Sequence, residues 1–162
     1  MSKIEWTDQT WNPTTGCNKV SAGCKNCYAE TMAKRLQAMG TPGYENGFEF
    51  TLMLERLNQP LLKKKPTKYF VNSMSDLFHE EMPHEYLEKI FDVIKSTPQH
   101  TYQILTKREK NMAEYFKNKK LPKNVSELPP YFEFHIRKFA SFWKIFRCDI
   151  LLSGFDLPSS KS

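Results

Sequence analysis

Three cysteines stand within eleven consecutive residues near the start of the chain, at Cys17, Cys24 and Cys27. Thiolates this close repel one another unless a cation or a metal cluster shares their charge, and soft sulfur ligands select zinc, copper(I) or iron–sulfur centres. Gly16 and Gly23 each precede a cysteine, which suits a loop that wraps around a bound group. Free cysteines are often only small buried hydrophobic residues, but no apolar period surrounds these three. The C-x6-C-x2-C loop is therefore interpreted as a metal or cluster site.

The composition is that of one soluble domain: 162 residues, 40% hydrophobic and 26% charged. No apolar run is long enough to span a membrane, and the N-terminus lacks the layout of a secretory signal. Thiols meant for a metal suit a reducing compartment, so we expect a cytoplasmic protein. The net charge of +6 is concentrated in lysine runs at 63–65 and 117–120. Such runs can contact nucleic acid, although they are more often solvated.

The first half of the chain predicts a strand, a loop and a helix. Residues 1–16 suit a short strand or extended segment that leads to Cys17. Apolar residues then recur at helical spacing from Ala29 to Met39, and Gly40 is the expected stop. Residues 48–53 suit a short strand, although residues 52–61 equally suit a helix.

The second half predicts βα units. Residues 68–73 and 101–106 are strand-like, and each precedes a helical pattern, the first beginning at Pro83. This order predicts an α/β fold with a parallel sheet and flanking helices, in which ligands gather at the carboxyl ends of the strands. Residues 73–76 and 106–108, together with the cysteine loop, should therefore share one edge of the sheet.

From residue 126 the composition changes. We divide the chain into a βα domain at 1–125 and an aromatic-rich tail at 126–162. The tail suits an amphipathic helix around Phe139, Trp143 and Phe146. It also carries Cys148, interpreted as a buried thiol or as a fourth ligand.

Several motifs resemble a bacterial and phage-borne family whose members are described as phage proteins of unknown function. The resemblance covers about residues 1–125. Its motifs are IEWTD at 4–8, TWNP at 10–13, the three cysteines with their preceding or following residues, FVNSMSDLFH at 70–79 and LTKR at 105–108.

The cysteine loop and βα repeats of that family are similar to those of radical S-adenosylmethionine (SAM) enzymes. The resemblance implies a partial (β/α) barrel in which Cys17, Cys24 and Cys27 bind a 4Fe–4S cluster, with SAM on the fourth iron. It also implies reductive cleavage of SAM to a 5′-deoxyadenosyl radical and an electron donor such as flavodoxin or ferredoxin. The substrate is unknown, and the phage association suggests nucleic acid or its precursors.

Two departures from the radical-SAM pattern stand out. The usual spacing is C-x3-C-x2-C with an aromatic residue before the last cysteine, whereas here the first gap is six and Tyr28 follows Cys27. In relatives we expect further strands and helices after Val125, beginning with a strand, and the tail does not match that continuation. A full barrel needs about 200 residues or more. We therefore hypothesise a truncated or frame-shifted family member.

The resemblance and the predicted sheet edge together suggest five cofactor-binding residues: Tyr28, Asn72, Ser73, Asp76 and Lys107. Tyr28 would contact adenine, and Asn72 and Ser73 would donate hydrogen bonds to the amino-acid part of SAM. Asp76 would bind ribose hydroxyls or pair with Lys107, or else only cap its loop.

Lys107 and its neighbour Arg108 would receive the SAM carboxylate or an anionic substrate, or else only begin a solvated helix. His79 is a candidate proton donor. Two other functions stay open. One is a non-catalytic zinc module, completed by His79 or Cys148, or a protein that binds nucleic acid or another partner. The other is a redox or interaction protein with a structural cluster.

Overall fold

This computed structural model describes residues 6–127 of the chain, and strands and α-helices alternate there from residue 68 onward. Short 3-10 turns lie at Ala22–Cys24, Leu54–Arg56 and Gln59–Leu62. The strands and α-helices are β1 (Gln9–Trp11), β2 (Thr14–Thr15), α1 (Tyr28–Ala38), β3 (Thr51–Leu52), β4 (Lys68–Val71), α2 (His84–Ser96), β5 (Thr101–Ile104), α3 (Glu109–Phe116) and β6 (Val125–Glu127).

The main sheet of the described residues has the strand order β1-β4-β5-β6, and all its pairings are parallel. Helices α2 and α3 connect β4 to β5 and β5 to β6, which is the βα arrangement that the sequence predicts. β2 and β3 form a separate antiparallel pair. Within residues 6–127 the sheet is open and closes no barrel. The predicted α/β class, parallel sheet and flanking helices are confirmed.

Aromatic side chains from neighbouring strands form the centre of the core. Trp11, Tyr69 and Tyr102 are at most 2% exposed, with ring centroids 5.6 Å apart for Trp11–Tyr102 and 5.5 Å for Tyr69–Tyr102. Trp11 also donates its indole N–H to the Arg56 carbonyl at 2.8 Å. Burying one such side chain contributes about 1.5–3 kcal/mol, so these rings add side-chain packing to the backbone pairing of the strands.

Helix α2 covers this core with one apolar face. Leu87, Ile90, Phe91 and Ile94 are buried. The helix is tied to the β1–β2 connection because the Tyr86 hydroxyl donates to the Pro13 carbonyl at 2.9 Å. It begins at His84, one residue later than predicted, since Pro83 is the extended N-cap with ψ 131°.

Helix α1 belongs to a second, smaller cluster. Ala29 and Ala33 pack with Tyr44 and with Met74, which lies in the loop after β4. The helix stops near Gly40, which has φ +64°, as predicted. The helical spacing places Met39 on the apolar face, but Met39 is 76% exposed because it follows the last helical residue. Through Met74, this cluster joins α1 to the edge of the sheet where β4 ends.

Two expectations about secondary-structure elements need correction. The region 48–61, which suits a strand or a helix by sequence, contains both a short strand, β3, and two 3-10 turns. β4 ends at Val71 instead of residue 73, because Asn72 adopts φ +56°. β6 crosses residue 126, where the predicted tail begins, and pairs with β5; the division into a domain and a tail stays a prediction. Cys148, the aromatic segment and the motif residues before Trp6 lie outside the described residues.

Within residues 6–127, the structure contains no helix with the length and apolar character to span a membrane.

Candidate functional site

Three loops meet at the carboxyl edge of the parallel sheet: the cysteine loop after β2, the loop after β4 and the loop after β5. Gly16 and Ser75 form an isolated parallel bridge, and the Gly16 N–H donates to the Met74 carbonyl at 3.0 Å. Side chains of the loop after β5 reach both other loops. The predicted convergence is therefore confirmed.

The cysteine loop leaves the small β2–β3 sheet through a glycine. Gly16 has φ +77°, and a Cβ atom at this position would collide with the backbone carbonyl of Glu49. The next residue, Cys17, donates its backbone N–H to the Phe48 carbonyl at 3.1 Å. Both the torsion and the close approach require glycine here, so the chain enters the loop along one determined path.

Asp76 is the buried centre of the edge and is only 6% exposed. One carboxylate oxygen accepts from the Phe78 N–H at 3.0 Å and the Thr106 hydroxyl at 2.7 Å; the other accepts from the Lys107 N–H at 2.9 Å. Its ion pair is with Arg108, at 3.4 Å, and not with the Lys107 ammonium as the sequence suggested. Asp76 thus caps its own loop and joins the loops after β4 and β5.

Arg108 is also buried, at 5% exposed, which corrects the alternative of a solvated helix start. Its Nε donates to both Glu80 carboxylate oxygens at 2.9 and 2.8 Å. Nη1 lies 3.3 Å from the Cys17 sulfur, and Nη2 donates to the Asn18 carbonyl at 3.3 Å. Burial lowers the pKa of Arg108, but the hydrogen bonds to Glu80 and Cys17 raise it above its ordinary value. The guanidinium therefore stays charged beside the cysteine loop.

Lys107 has an exposed side chain whose ammonium lies 3.4 Å from the sulfur of Cys24. Burial raises the pKa of Cys24, but hydrogen bonds from the Val20 and Ser21 backbone and the Ser21 hydroxyl, with the Lys107 charge, lower it to about 7. The pKa of Cys17 is raised by burial, against the opposing effect of Arg108. Two of the three predicted ligands thus have cationic neighbours, and the Cys24 thiol ionises readily.

Cys27 is the N-cap of α1, and its carbonyl accepts from the Thr31 N–H at 3.2 Å. The third thiol therefore lies at the positive end of a helix dipole. Tyr28 begins the helix and is 51% exposed. Its contact with adenine stays a prediction.

Asn72 and Ser73 lie at the end of β4, in contact with polar groups from the β1–β2 connection. The Asn72 amide donates to Thr14 Oγ1 at 3.0 Å, while its Oδ1, although buried, has no hydrogen-bond partner among the described residues. Ser73 donates to Asn12 Oδ1 at 3.1 Å, and that oxygen also accepts from the Met74 N–H at 3.2 Å. The unpartnered oxygen of Asn72 could accept a hydrogen bond from a ligand.

His79 is 3% exposed and stacks on Phe50 with ring centroids 4.3 Å apart. Its Nε2 faces the Asn18 N–H at 3.3 Å and its Nδ1 faces the Glu81 N–H at 3.2 Å. Burial and the Arg108 charge lower the pKa of His79. A neutral imidazole has one acceptor nitrogen, so only one of these amides can be bound at a time. His79 contacts the cysteine loop, and its roles as proton donor and fourth ligand stay predictions.

The sulfur atoms do not form a preassembled site for one ion. Among residues 6–127, no three His, Cys, Asp or Glu side chains have an arrangement that could hold a single metal ion. Each cysteine ligand of a 4Fe–4S cluster binds a different iron, so such a cluster needs no common point of contact. The assignment of Cys17, Cys24 and Cys27 as ligands stays a prediction.

Sequence reasoning missed three residues of this edge. Asn12 and Thr14 bind the loop after β4, and Glu80 pairs with Arg108. Asn12 directly follows β1 as Asn72 follows β4, and this shared position after a strand was the available signal. For Glu80, no local sequence pattern indicates its partner 28 residues away.

Comparison with known proteins agrees with part of the sequence resemblance. No curated protein and no solved structure matches the chain. A family model described as a protein of unknown function (DUF5131) matches residues 1–128 of the 162. The expected membership of an uncharacterised family is confirmed, while the radical-SAM likeness and the phage association stay predictions. Because the match covers most of the sequence, the chain belongs to the DUF5131 family of proteins of unknown function.

Proposed function

We propose that this protein binds a 4Fe–4S cluster through Cys17, Cys24 and Cys27 and uses it, with SAM, in radical chemistry on a substrate yet to be identified. The contacts between cations and sulfur carry the proposal: Arg108 lies 3.3 Å from Cys17 and Lys107 lies 3.4 Å from Cys24. Cations beside thiols favour the thiolate form that binds metal. At Cys24 the Lys107 charge helps to lower the thiol pKa to about 7, whereas at Cys17 burial outweighs the opposing effect of Arg108 and the pKa is raised. Inert structural thiols would need no such neighbours.

The sulfur donor set fits this cofactor. Thiolates are the ligands that iron–sulfur clusters use, and three of them leave one iron for another ligand. The N-terminus of α1 at Cys27 adds a favourable dipole for an anionic centre. When bound, such a cluster supplies one electron for the reductive cleavage of SAM. A donor protein such as flavodoxin or ferredoxin would have to deliver that electron.

The remaining residues of the edge have roles in binding and orientation. The buried Oδ1 of Asn72 could accept from the SAM ammonium, which would remove an unpartnered acceptor. The exposed ammonium of Lys107 could receive the SAM carboxylate, and Tyr28 could stack on adenine. Ser73 contributes a hydroxyl, and Asp76 positions the Lys107 backbone. The parallel βα units also suit a partial barrel, whose ligands gather at this end.

Anaerobic reconstitution tests the proposal. Iron, sulfide and zinc are counted per chain in the wild type, in Cys17→Ala and in Cys148→Ala, a control whose thiol the proposal does not use. We expect about four irons and four sulfides, lost in Cys17→Ala and kept in the control. The loaded protein is then tested for 5′-deoxyadenosine with SAM and a reductant. A cluster without this product would refute the enzymatic part and indicate a structural or redox cluster.

A zinc-binding module is the second candidate function, and the position of His79 favours it. Its Nε2 lies 3.3 Å from the backbone nitrogen of Asn18, next to Cys17, so the imidazole contacts the loop that contains the thiols. Four ligands of this kind complete a structural zinc site. The same reconstitution distinguishes the two candidates. If the protein binds about one zinc and no sulfide per chain, and His79→Ala loses the zinc, the zinc module replaces the cluster proposal.

A further inference from the structure

We infer that Arg108 is a positioning residue that seats Cys17 at the sheet edge and donates a hydrogen bond to its sulfur, thereby raising the reduction potential of the bound cluster. The seating of Cys17 stands on the geometry of the chain alone. The effect on the potential rests on the proposed function.

The guanidinium joins all three loops of the edge. It belongs to the loop after β5, pairs with Asp76 and Glu80 of the loop after β4, and contacts Cys17 and Asn18 of the cysteine loop. The planar, forked arrangement of its donors makes this possible, since a lysine ammonium is a single point charge. A buried charge is costly unless it is paired. Moving any one of these loops away would leave the buried guanidinium without one of its partners, so Arg108 holds the loops in place.

This arrangement separates the roles of two adjacent cations. Arg108 is 5% exposed, and its Nε, Nη1 and Nη2 all face protein groups. Lys107 is exposed and meets the protein through its contact with Cys24. Arg108 is therefore a poor receptor for a SAM carboxylate or an anionic substrate, and Lys107 is the better one.

Hydrogen bonds to ligand sulfur and nearby positive charge both stabilise the reduced, more negative state of a cluster. Arg108 supplies both at Cys17. Its loss should therefore make the cluster harder to reduce, even in molecules that still hold all their iron. A purely structural residue would change folding or iron content without changing the potential.

The experiment compares wild type, Arg108→Lys and Arg108→Gln with Arg35→Gln, a control at an exposed position of α1. In the metal-free full chain, hydrogen exchange is followed at the amides of Gly16 and Cys17, which bond Met74 and Phe48. In the reconstituted protein, the midpoint potential is measured by redox titration at matched iron content. Arg108→Lys keeps the charge and most of the volume, so it covers the case in which Arg108→Gln fails to fold.

We expect exchange at these two amides to become about tenfold faster in Arg108→Lys, with Arg35→Gln unchanged. We also expect a more negative midpoint potential in Arg108→Gln, which loses both the charge and the hydrogen bond, and a smaller negative shift in Arg108→Lys, which keeps the charge. Unchanged exchange in Arg108→Lys would overturn the seating of Cys17, and an unchanged potential would overturn the effect on the cluster. If the wild type binds no cluster, the proposed function and the effect on the potential fall together. The hydrogen-exchange comparison still tests whether Arg108 holds Cys17 at the sheet edge.

Discussion

Gly16 offers a direct test of how the cysteine loop is held. It has φ +77°, and an added Cβ would collide with the Glu49 carbonyl. Gly40 also has a positive φ, +64°, but an added Cβ there meets nothing within 4 Å. The substitutions Gly16→Ala and Gly40→Ala therefore share the torsional strain and differ in the collision.

The expected costs follow from this difference. Alanine in the left-handed region costs roughly 1–2 kcal/mol. Both variants should therefore lose this much of the free energy of unfolding. In Gly16→Ala the segment of Glu49 must also move away. That movement disrupts the bonds from Gly16 N–H to Met74 at 3.0 Å and from Cys17 N–H to Phe48 at 3.1 Å. Each contributes about 1 kcal/mol, so we expect roughly 3–4 kcal/mol for Gly16→Ala.

Urea denaturation of the metal-free full chain, followed by far-UV circular dichroism, measures both free energies of unfolding. With a slope of about 2 kcal/mol per molar urea, the midpoint should fall by roughly 1.5–2 M in Gly16→Ala and by roughly 0.5–1 M in Gly40→Ala. Equal losses in the two variants would refute the argument, because the close approach of Gly16 to Glu49 would then contribute nothing to stability.

Three further predictions use the same denaturation assay. Asp76→Asn keeps one acceptor oxygen for the four donors around it, so it should lower the free energy of unfolding by about 3 kcal/mol. The control Asp92→Asn, at an exposed position, should change it by less than about 0.5 kcal/mol. Similar losses in the two variants would contradict the buried role of Asp76. Trp11→Phe removes the indole N–H that donates to the Arg56 carbonyl and leaves a void in the core, so it should lower the free energy of unfolding by about 2–3 kcal/mol. A loss below about 1 kcal/mol would contradict the role of Trp11 in the core. The pKa of His79 is lowered in the folded protein relative to its unfolded value of about 6.5. The contribution of the neutral imidazole to the free energy of unfolding is therefore complete above about pH 6.5, and it is lost as the pH falls below that value. His79→Asn should therefore lose less stability than wild type between pH 7 and 5, and identical slopes would show that His79 does not resist protonation.

Much of the fold could be predicted because its signals are local. The stop of α1 at Gly40 and the buried face of α2 follow from residue spacing, and the alternation of strands and helices implies a parallel sheet. The meeting of the three polar loops at one edge follows from that topology. The exact ends of β4 and α2 did not follow, since they depend on the torsions of Asn72 and Pro83.

What only the tertiary structure decided is how the polar residues of that edge pair. The sequence by itself determined that three thiols share a short loop and that Asp76, Lys107 and Arg108 lie near it. It did not distinguish Lys107 from Arg108, which are adjacent cations, yet one is exposed and the other buried. The partners of Arg108 include Cys17, 91 residues away, and Glu80. Hydrophobic periodicity reports local conformation and the side that faces the core. The contacts of Arg108 with Cys17 and Glu80 depend instead on the distances between loops, which are set only when the sheet and the helices pack together.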